Sequence, residues 1–377
     1  MGLLDKERAT LDAFMPGLDE FLAGSGLEEL ESPNSKGITA FRSHGGPALL
    51  VPDELSGMGA TALQAVRIQR AIGARSPSLA VATTMHHFSI ASLVALSELP
   101  DGWEWMLLEG IATENLLVAS GFAEGRRDGG ILHPTMQGTS TDAGVRVTGV
   151  KRPCSLARSM NLLTASVRVP RLNGEGTQLA VAVIPAESEG ITVTPFWNSF
   201  ALAGAESDQV SLTDVLVPPQ LLVRMELSED ECLDDIQTAG FVWFELLMMG
   251  CYLGAASALV ERVIANDRAP ESDRLRLVVE LEGAMAAVEN IARQVPDGQR
   301  KRSLLADSLI VRYAVQDAIA RVVPHAIELA GGLNFIGSSD TAYLAAAVNG
   351  LGFHPPSRAK MARPLLDYLA GDELEIV

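Results

Sequence analysis

"VRVTGVKRPCSLARSMNLLTASVRVP", residues 145–170, decides the fold. Two runs rich in Val and Thr flank a turn carrying Lys, Arg, Pro and Asn, which is the texture of strands joined by a loop. The texture extends both ways. "LLVASGFAEG" (116–125) precedes it, and "TQLAVAVIPA" (177–186), "ITVTPFW" (191–197) and "DQVSLTDVLVP" (208–218) follow, each short, β-branched and punctuated by Gly, Asn, Asp or Pro. Residues 117–228 therefore read as a β domain, a sheet or barrel.

Outside that block the period changes. "ATALQAVRIQRAIGARS" (60–76) and "SIASLVALSEL" (89–99) place apolar residues three and four apart, so residues 1–116 read as a helical domain. Helical periodicity returns over residues 229–377, in "TAGFVWFELLMMGCYLGAASALVERVIAND" (238–267) and the long runs after it. Segregated blocks of this kind make an α+β protein. No GxGxxG follows a strand and opens a helix, so a Rossmann dinucleotide site has no support. "GFHPPSRAK" (352–360) interrupts the last helical stretch, and His354-Pro355-Pro356 must be a bend joining two helices.

The chain has 377 residues, 47% of them apolar, enough for two or three packed subdomains. With 29 basic against 47 acidic side chains the formal charge is −18, which argues against attraction to nucleic acid or to an anionic membrane face. Cys154, Cys232 and Cys251 follow no metal or disulfide spacing, as expected of reduced thiols in a cytoplasmic protein. The N-terminal "MGLLDKERATLDAFMPGLDEFL" alternates charge and apolarity at helical spacing, unlike a signal peptide. No later run reaches the roughly 18–20 uninterrupted apolar residues that cross a bilayer. His86 and His87 are adjacent, about 100° apart on a helix, and read as core or cleft-lining side chains rather than ligands of one metal ion.

The order helical, β, helical, together with four local strings, resembles the acyl-CoA dehydrogenase superfamily over nearly the whole chain. "LLVPDELSGMGATALQAVRIQRAIG" (49–73) looks like the family's P-E-x-G-G-x-G turn and the helix after it. "VRVTGVKRPCSLARSMNLLTASV" (145–167) sits where the family has G-x-K-x-[WF]-I-[TS]-N-G, and "FALAGAESDQVSLTDVLVPPQLLV" (200–223) resembles the segment that closes its β-domain. "ELAGGLNFIG" (328–337) looks like its Q-x-x-G-G-x-G corner. The resemblance implies an N-terminal helical domain, a middle β-barrel domain and a C-terminal four-helix bundle, with FAD held between the last two and a neighbouring subunit of a homodimer or homotetramer. It places Ser155 on the hydroxyl residue that bonds the flavin ring, Phe122 and Ala123 along that ring, and Gly331 and Gly332 where the adenosine diphosphate passes close to backbone. Glu328 and Ser357 join the same cofactor set. Arg268 falls on an arginine that contacts the partner subunit's FAD, although "APES" (269–272) lacks the Phe-Gly expected after it.

The activity implied is FAD-dependent α,β-dehydrogenation of an acyl thioester, carried on coenzyme A or on an acyl-carrier protein. The family's usual catalytic base is a glutamate whose place here is taken by Pro355, which cannot accept a proton. An alternative family position for the base lies within one residue of Glu245, the sole carboxylate between Asp235 and Glu261; pairing with an arginine is the competing reading. His354 is the second candidate base, its ordinary pKa of about 6.5 suiting proton transfer, or else it fixes the bend. Arg126 and Arg127 replace the family's thioester-arm loop and would meet phosphates, and Arg358 would hold an anionic group or form a surface ion pair. Trp243, in the stripe Phe241, Trp243, Phe244, would line the acyl pocket. Two alternatives stand beside dehydrogenation: a flavin monooxygenase on the same fold, which needs no glutamate base, and a flavin-free homologue without enzymatic activity.

Overall fold

The computed structural model describes residues 2–98, 102–126, 134–172, 175–225, 235–265, 268–298 and 300–376. Its first block is helical: α1 (Asp5–Phe14), α2 (Leu18–Ser25), α3 (Leu27–Leu30), α4 (Gly37–Ser43), α5 (Ala62–Arg75), α6 (Pro77–Ser97) and α7 (Glu104–Glu114). Local chemistry sets the two long ones. Thr61 and Gln64 form a reciprocal capping box at the start of α5, and Ser76 caps α6 just before Pro77, whose fixed φ suits the first helical position.

The sheet follows: β1 (Val118–Gly121), β2 (Gln137–Thr141), β3 (Gly144–Cys154), β4 (Leu162–Pro170), β5 (Thr177–Pro185), β6 (Ile191–Thr194), β7 (Asp208–Val217) and β8 (Leu222–Arg224). The pairing path is β6-β7-β3-β2-β4-β5-β8, with β1 parallel to β4. β4 and β5 pair antiparallel from Leu162 opposite Pro185 to Pro170 opposite Thr177. β4 is covered on both faces, since Leu162 to Val167 are all buried.

The last block is α8 (Asp235–Ile264), α9 (Glu271–Gly298), α10 (Arg302–Ala330), α11 (Gly332–Gly337), α12 (Ser339–Ala347) and α13 (Arg358–Ala370), with a 3₁₀ segment, Val348–Gly352, leading into the bend. α8 is apolar on every side and has to be surrounded. From Thr238 to Val260 every residue except Phe241 is buried, packed among α5, α6, α9 and α10. Glycine permits the closest approach: a Cβ on Gly254 of α8 would lie 2.2 Å from the Arg70 carbonyl of α5. α6 and α8 are long and apolar enough to cross a membrane, but both are largely core.

Polar ties fasten the first block to the last. Arg70, wholly buried, donates to Glu7 (3.0 Å), Glu282 (2.5 Å) and Ser257. Glu289 accepts from Lys6, Arg67 and Arg293. His86 and His87 are both buried in α6; His86 joins the Pro47 carbonyl and the Val118 amide, while neither ring nitrogen of His87 has a hydrogen-bond partner. Burial pushes His87 well below its ordinary value. Among the described residues no group of three or more His, Cys, Asp or Glu could hold a metal ion.

Candidate active site

A cavity of about 620 Å³ lies between the sheet, α6, α8 and the bend at His354. One face of α6 runs along it, through Val81, Met85, Ser89, Ser92 and Leu96. The spacing of three and four residues puts them on one side of the helix. β1 and β4 supply Ser120, Thr164 and Ser166, α8 supplies Gly240, Phe241 and Phe244, and the bend supplies Phe353, His354 and Pro355.

Ser155 follows the end of β3 and lines the cavity, its hydroxyl 2.9 Å from that of Ser207. Phe122 and Ala123 follow β1, where the Ala123 carbonyl accepts from the Arg152 amide at 2.8 Å beside Pro153. All three line the cavity, as do Arg126 and His354. Glu124 is the cavity's one carboxylate among the described residues. It accepts from Lys151 Nζ (2.8 Å) and from Thr135. Burial alone would raise its pKa, but those donors outweigh it and hold the carboxyl at about 2. Lys151, buried within the sheet, also donates to Ser166 (3.0 Å).

The bend is gripped from behind. Arg312 of α10 is wholly buried, and its guanidinium donates to the carbonyls of Leu351 (3.0 Å), His354 and Pro355 (3.3 Å). Tyr313 bonds the Pro356 carbonyl (3.2 Å), and Gln316 shares that of Leu351 (3.1 Å). The charge on Arg312 is matched by Glu245, both of whose oxygens lie within 2.9 Å of Nη1. On the cavity side, His354 Nε2 is 2.7 Å from the Tyr252 hydroxyl. Desolvation, helped by the nearby Arg312 charge, drives His354 down to about 3, so its imidazole is neutral.

The expected Glu245 base is therefore corrected. The side chain is fully buried against Arg312 and does not line the cavity; Phe244, one residue earlier and about 100° round the helix, takes that place. Burial raises the Glu245 carboxyl, to about 7, against the pull of Arg312. Trp243 is likewise buried outside the cavity, while Phe241 and Phe244 line it. Arg358 pairs with Asp317 (2.8 Å) and stacks over Tyr313 at the surface. Ser357 caps α13. Gly331, at φ 79° and ψ 159°, ends α10 in an extended positive-φ conformation open to glycine; Gly332 follows, and neither has an atom within 4 Å of a would-be Cβ. Glu328 is exposed beside them, and Arg268 lies in the turn after α8; none of these residues lines the cavity of its own chain. Arg127 and Cys232 fall outside the described residues. Cys154 is buried and its thiol is pushed up to about 12 by desolvation. Sequence reasoning missed Arg312 and Tyr252.

No protein-family model matches the chain. It is, however, 46% identical over 379 residues to isobutylamine N-hydroxylase from Streptomyces viridifaciens, covering 100% of each protein. The chain belongs to that N-hydroxylase's family. Its fold is the acyl-CoA dehydrogenase fold, as the order of elements leads one to expect. Solved structures similar to this chain share its fold throughout. FMN-bound TdsC from Paenibacillus sp. A11-2 superposes with a TM-score of 0.81 at 17% identity, covering 99% of this chain and 98% of that one. The methanesulfinate monooxygenase MsuC from Pseudomonas fluorescens gives 0.77 at 19%, covering 100% and 98%. A nitrososynthase from Micromonospora carbonacea var. africana gives 0.78 at 18%, covering 98% and 96%. At these identities the likeness is one of fold.

Proposed function

We propose that the protein is a flavin-dependent monooxygenase that N-hydroxylates a primary alkylamine. The observation that carries this reading is the full-length 46% identity to isobutylamine N-hydroxylase. It replaces the dehydrogenation of an acyl thioester, and with it the acyl-carrier partner. The chemistry of the cavity supports the change: dehydrogenation needs a base for an α-proton, and Pro355 has none, Glu245 is sealed against Arg312, and Glu124 is held ionised by Lys151 and Thr135.

The residues present fit a flavin. Phe122 and Ala123 would lie along its ring, and Ser155, whose hydroxyl already faces Ser207 in the cavity, would bond it. When bound and reduced, the flavin supplies two electrons and activates O₂: one oxygen atom goes to the amine nitrogen, giving R-NHOH, and the other leaves as water. The chain has no nucleotide motif of its own for a nicotinamide donor, so reduced flavin comes from a separate reductase. With its Nε2–H donating to the Tyr252 hydroxyl, neutral His354 would keep Nδ1 as the acceptor for the amine N–H and so orient the nitrogen lone pair. The cavity offers no unpaired carboxylate among the described residues to stabilise an ammonium, and the amine binds as the free base. Gly331, Gly332, Glu328, Arg268 and Ser357 remain assigned to the adenosine end of FAD only by resemblance. Tighter binding of FAD than of FMN would support them, and equal binding would remove them.

The test supplies purified protein with flavin, a flavin reductase, NADH and isobutylamine in air. N-hydroxyisobutylamine is the expected product. Bleaching of bound flavin by an acyl thioester, with no hydroxylamine from any alkylamine, would overturn the reading.

A further inference from the structure

The sheet wall of the cavity has a cation buried in it. Lys151 of β3 is wholly buried, and its Nζ donates to Glu124 (2.8 Å) and to the hydroxyl of Ser166 on β4 (3.0 Å). Thr164 and Ser166, two apart on that strand, both line the cavity, as strand alternation requires. Their hydroxyls differ in what they have left to give. Thr164 donates to the Ala119 carbonyl (3.1 Å), as Ser89 and Ser92 of α6 donate to those of Met85 (3.0 Å) and Phe88 (2.9 Å). Ser166 accepts from an ammonium and, among the described residues, has no acceptor for its own proton. A buried hydroxyl polarised by a cation, with its proton unpaired at a cavity wall, is a donor suited to an anionic ligand atom. The negative end of the pair is covered instead: the Glu124 carboxylate also accepts from the Thr135 amide and hydroxyl and from the Met136 amide.

Ser166 stands next to the residues that would meet the flavin ring. Gly121 of β1 pairs with Ala165 of β4, so Phe122 and Ser166 are the next residues along neighbouring parallel strands. Two electrons and one proton turn an oxidised flavin into a reduced monoanion, and a second proton makes it neutral. We propose that Ser166, backed by Lys151, donates to the bound flavin and favours its reduced monoanion over the oxidised and the neutral reduced forms. Ser166 is the contact, and Lys151 is a positioning residue that acts through it. The protein then takes reduced flavin from the reductase more tightly than it holds the oxidised ring. The other titratable groups lining the cavity are Arg126, at its exposed rim, and His354, which the ring series Phe122, Phe88, Phe244 separates from this strand end. Cys154, near Lys151, is a neutral thiol, pushed up to about 12 by desolvation. The inference rests on the reading that the cavity holds flavin, and not on which substrate receives the oxygen atom.

The experiment titrates the purified protein with FAD, oxidised in air and dithionite-reduced without oxygen, and follows the absorbance of the bound reduced form with pH. Ser166→Ala should raise the reduced-flavin Kd about tenfold or more, the worth of a hydrogen bond to a charged group, while the oxidised Kd changes by less than about threefold. By linkage, the neutral reduced form should then appear at a pH about one unit higher than in the parent. Ser166→Thr keeps the hydroxyl on a strand that favours β-branching, and its Kd ratio should stay within about threefold of the parent's. Lys151→Met combined with Glu124→Gln should move the ratio as Ser166→Ala does with Ser166 intact, and no movement removes Lys151 from the proposal. An unchanged ratio in Ser166→Ala, or equal weakening of both forms, overturns the assignment. A parent protein that binds FAD in neither form overturns the flavin reading with it. A shifted ratio while no hydroxylamine forms from isobutylamine keeps the donor and overturns the proposed reaction alone.

Discussion

Glu245 and Arg312, on α8 and α10, form a fully buried ion pair in which one guanidinium nitrogen lies 2.8 Å and 2.9 Å from the two carboxylate oxygens. The other guanidinium nitrogen grips the carbonyls of Leu351 and His354. The pair thus acts through the bend: it fixes where His354 stands without reaching the cavity. A positioned charge needs its counter-charge, which explains a carboxylate in an otherwise apolar helix.

Glu245→Gln preserves shape and one acceptor oxygen. A catalytic base would lose activity by several orders of magnitude on this change, whereas a clamp residue should retain turnover within about tenfold. Arg312→Met leaves Glu245 buried and unpaired, and urea unfolding should show a loss of about 3–5 kcal/mol. Turnover of the first variant below a thousandth of the parent would return Glu245 to the chemistry.

Acid stability should report Glu289. Burial alone would raise this carboxyl, but Arg67, Lys6 and Arg293 outweigh it and hold it at about 2. A depressed carboxyl contributes stability that is present above its unfolded value of 4.5 and is lost as pH falls toward 2. Unfolding measured across that window should steepen for the parent and flatten for Glu289→Gln. Parallel curves would contradict the tie between α1, α5 and α9.

The rate should follow the substrate and not the imidazole. An alkylamine titrates near the lysine value of about 10.4, so below that pH its free-base fraction rises tenfold per unit. kcat/KM should climb with a slope near one from about pH 6 to 9. His354, down at about 3, adds no limb there. Tyr252→Phe frees His354 Nε2 and should lower kcat several-fold without moving that slope. A bell centred near neutrality would mean His354 or another group titrates in the cycle.

Ser155→Ala removes one hydroxyl from the cavity floor. Losing a single hydrogen bond worth about 1–1.5 kcal/mol should raise the flavin Kd by about 5- to 15-fold, read by fluorescence quenching. An unchanged Kd would place the ring elsewhere.

The strands are legible in sequence because alternating Val and Thr between Gly and Pro has few other solutions, and β3, β4 and β5 form from such runs. That Ser155, Phe122 and Ala123 line the cavity is legible because local strings fix them against strand ends. Glu245 misleads because a one-residue offset on a helix turns the side chain by about 100°, a difference that only packing resolves. Arg312 leaves a faint signal: it falls in the apolar stripe Leu305, Leu309, Val315, Ile319, all buried, where a charge must have a partner. Which partner could not be read, since Glu245 is 67 residues away along the chain.

The central claim is oxygen transfer to an amine nitrogen, and isotope labelling tests it most directly. With isobutylamine, flavin, reductase and ¹⁸O₂, the hydroxylamine formed should be heavier by one labelled oxygen, and reaction in H₂¹⁸O under ordinary air should leave it unlabelled. Label arriving from water, or no hydroxylamine at all, would contradict the account.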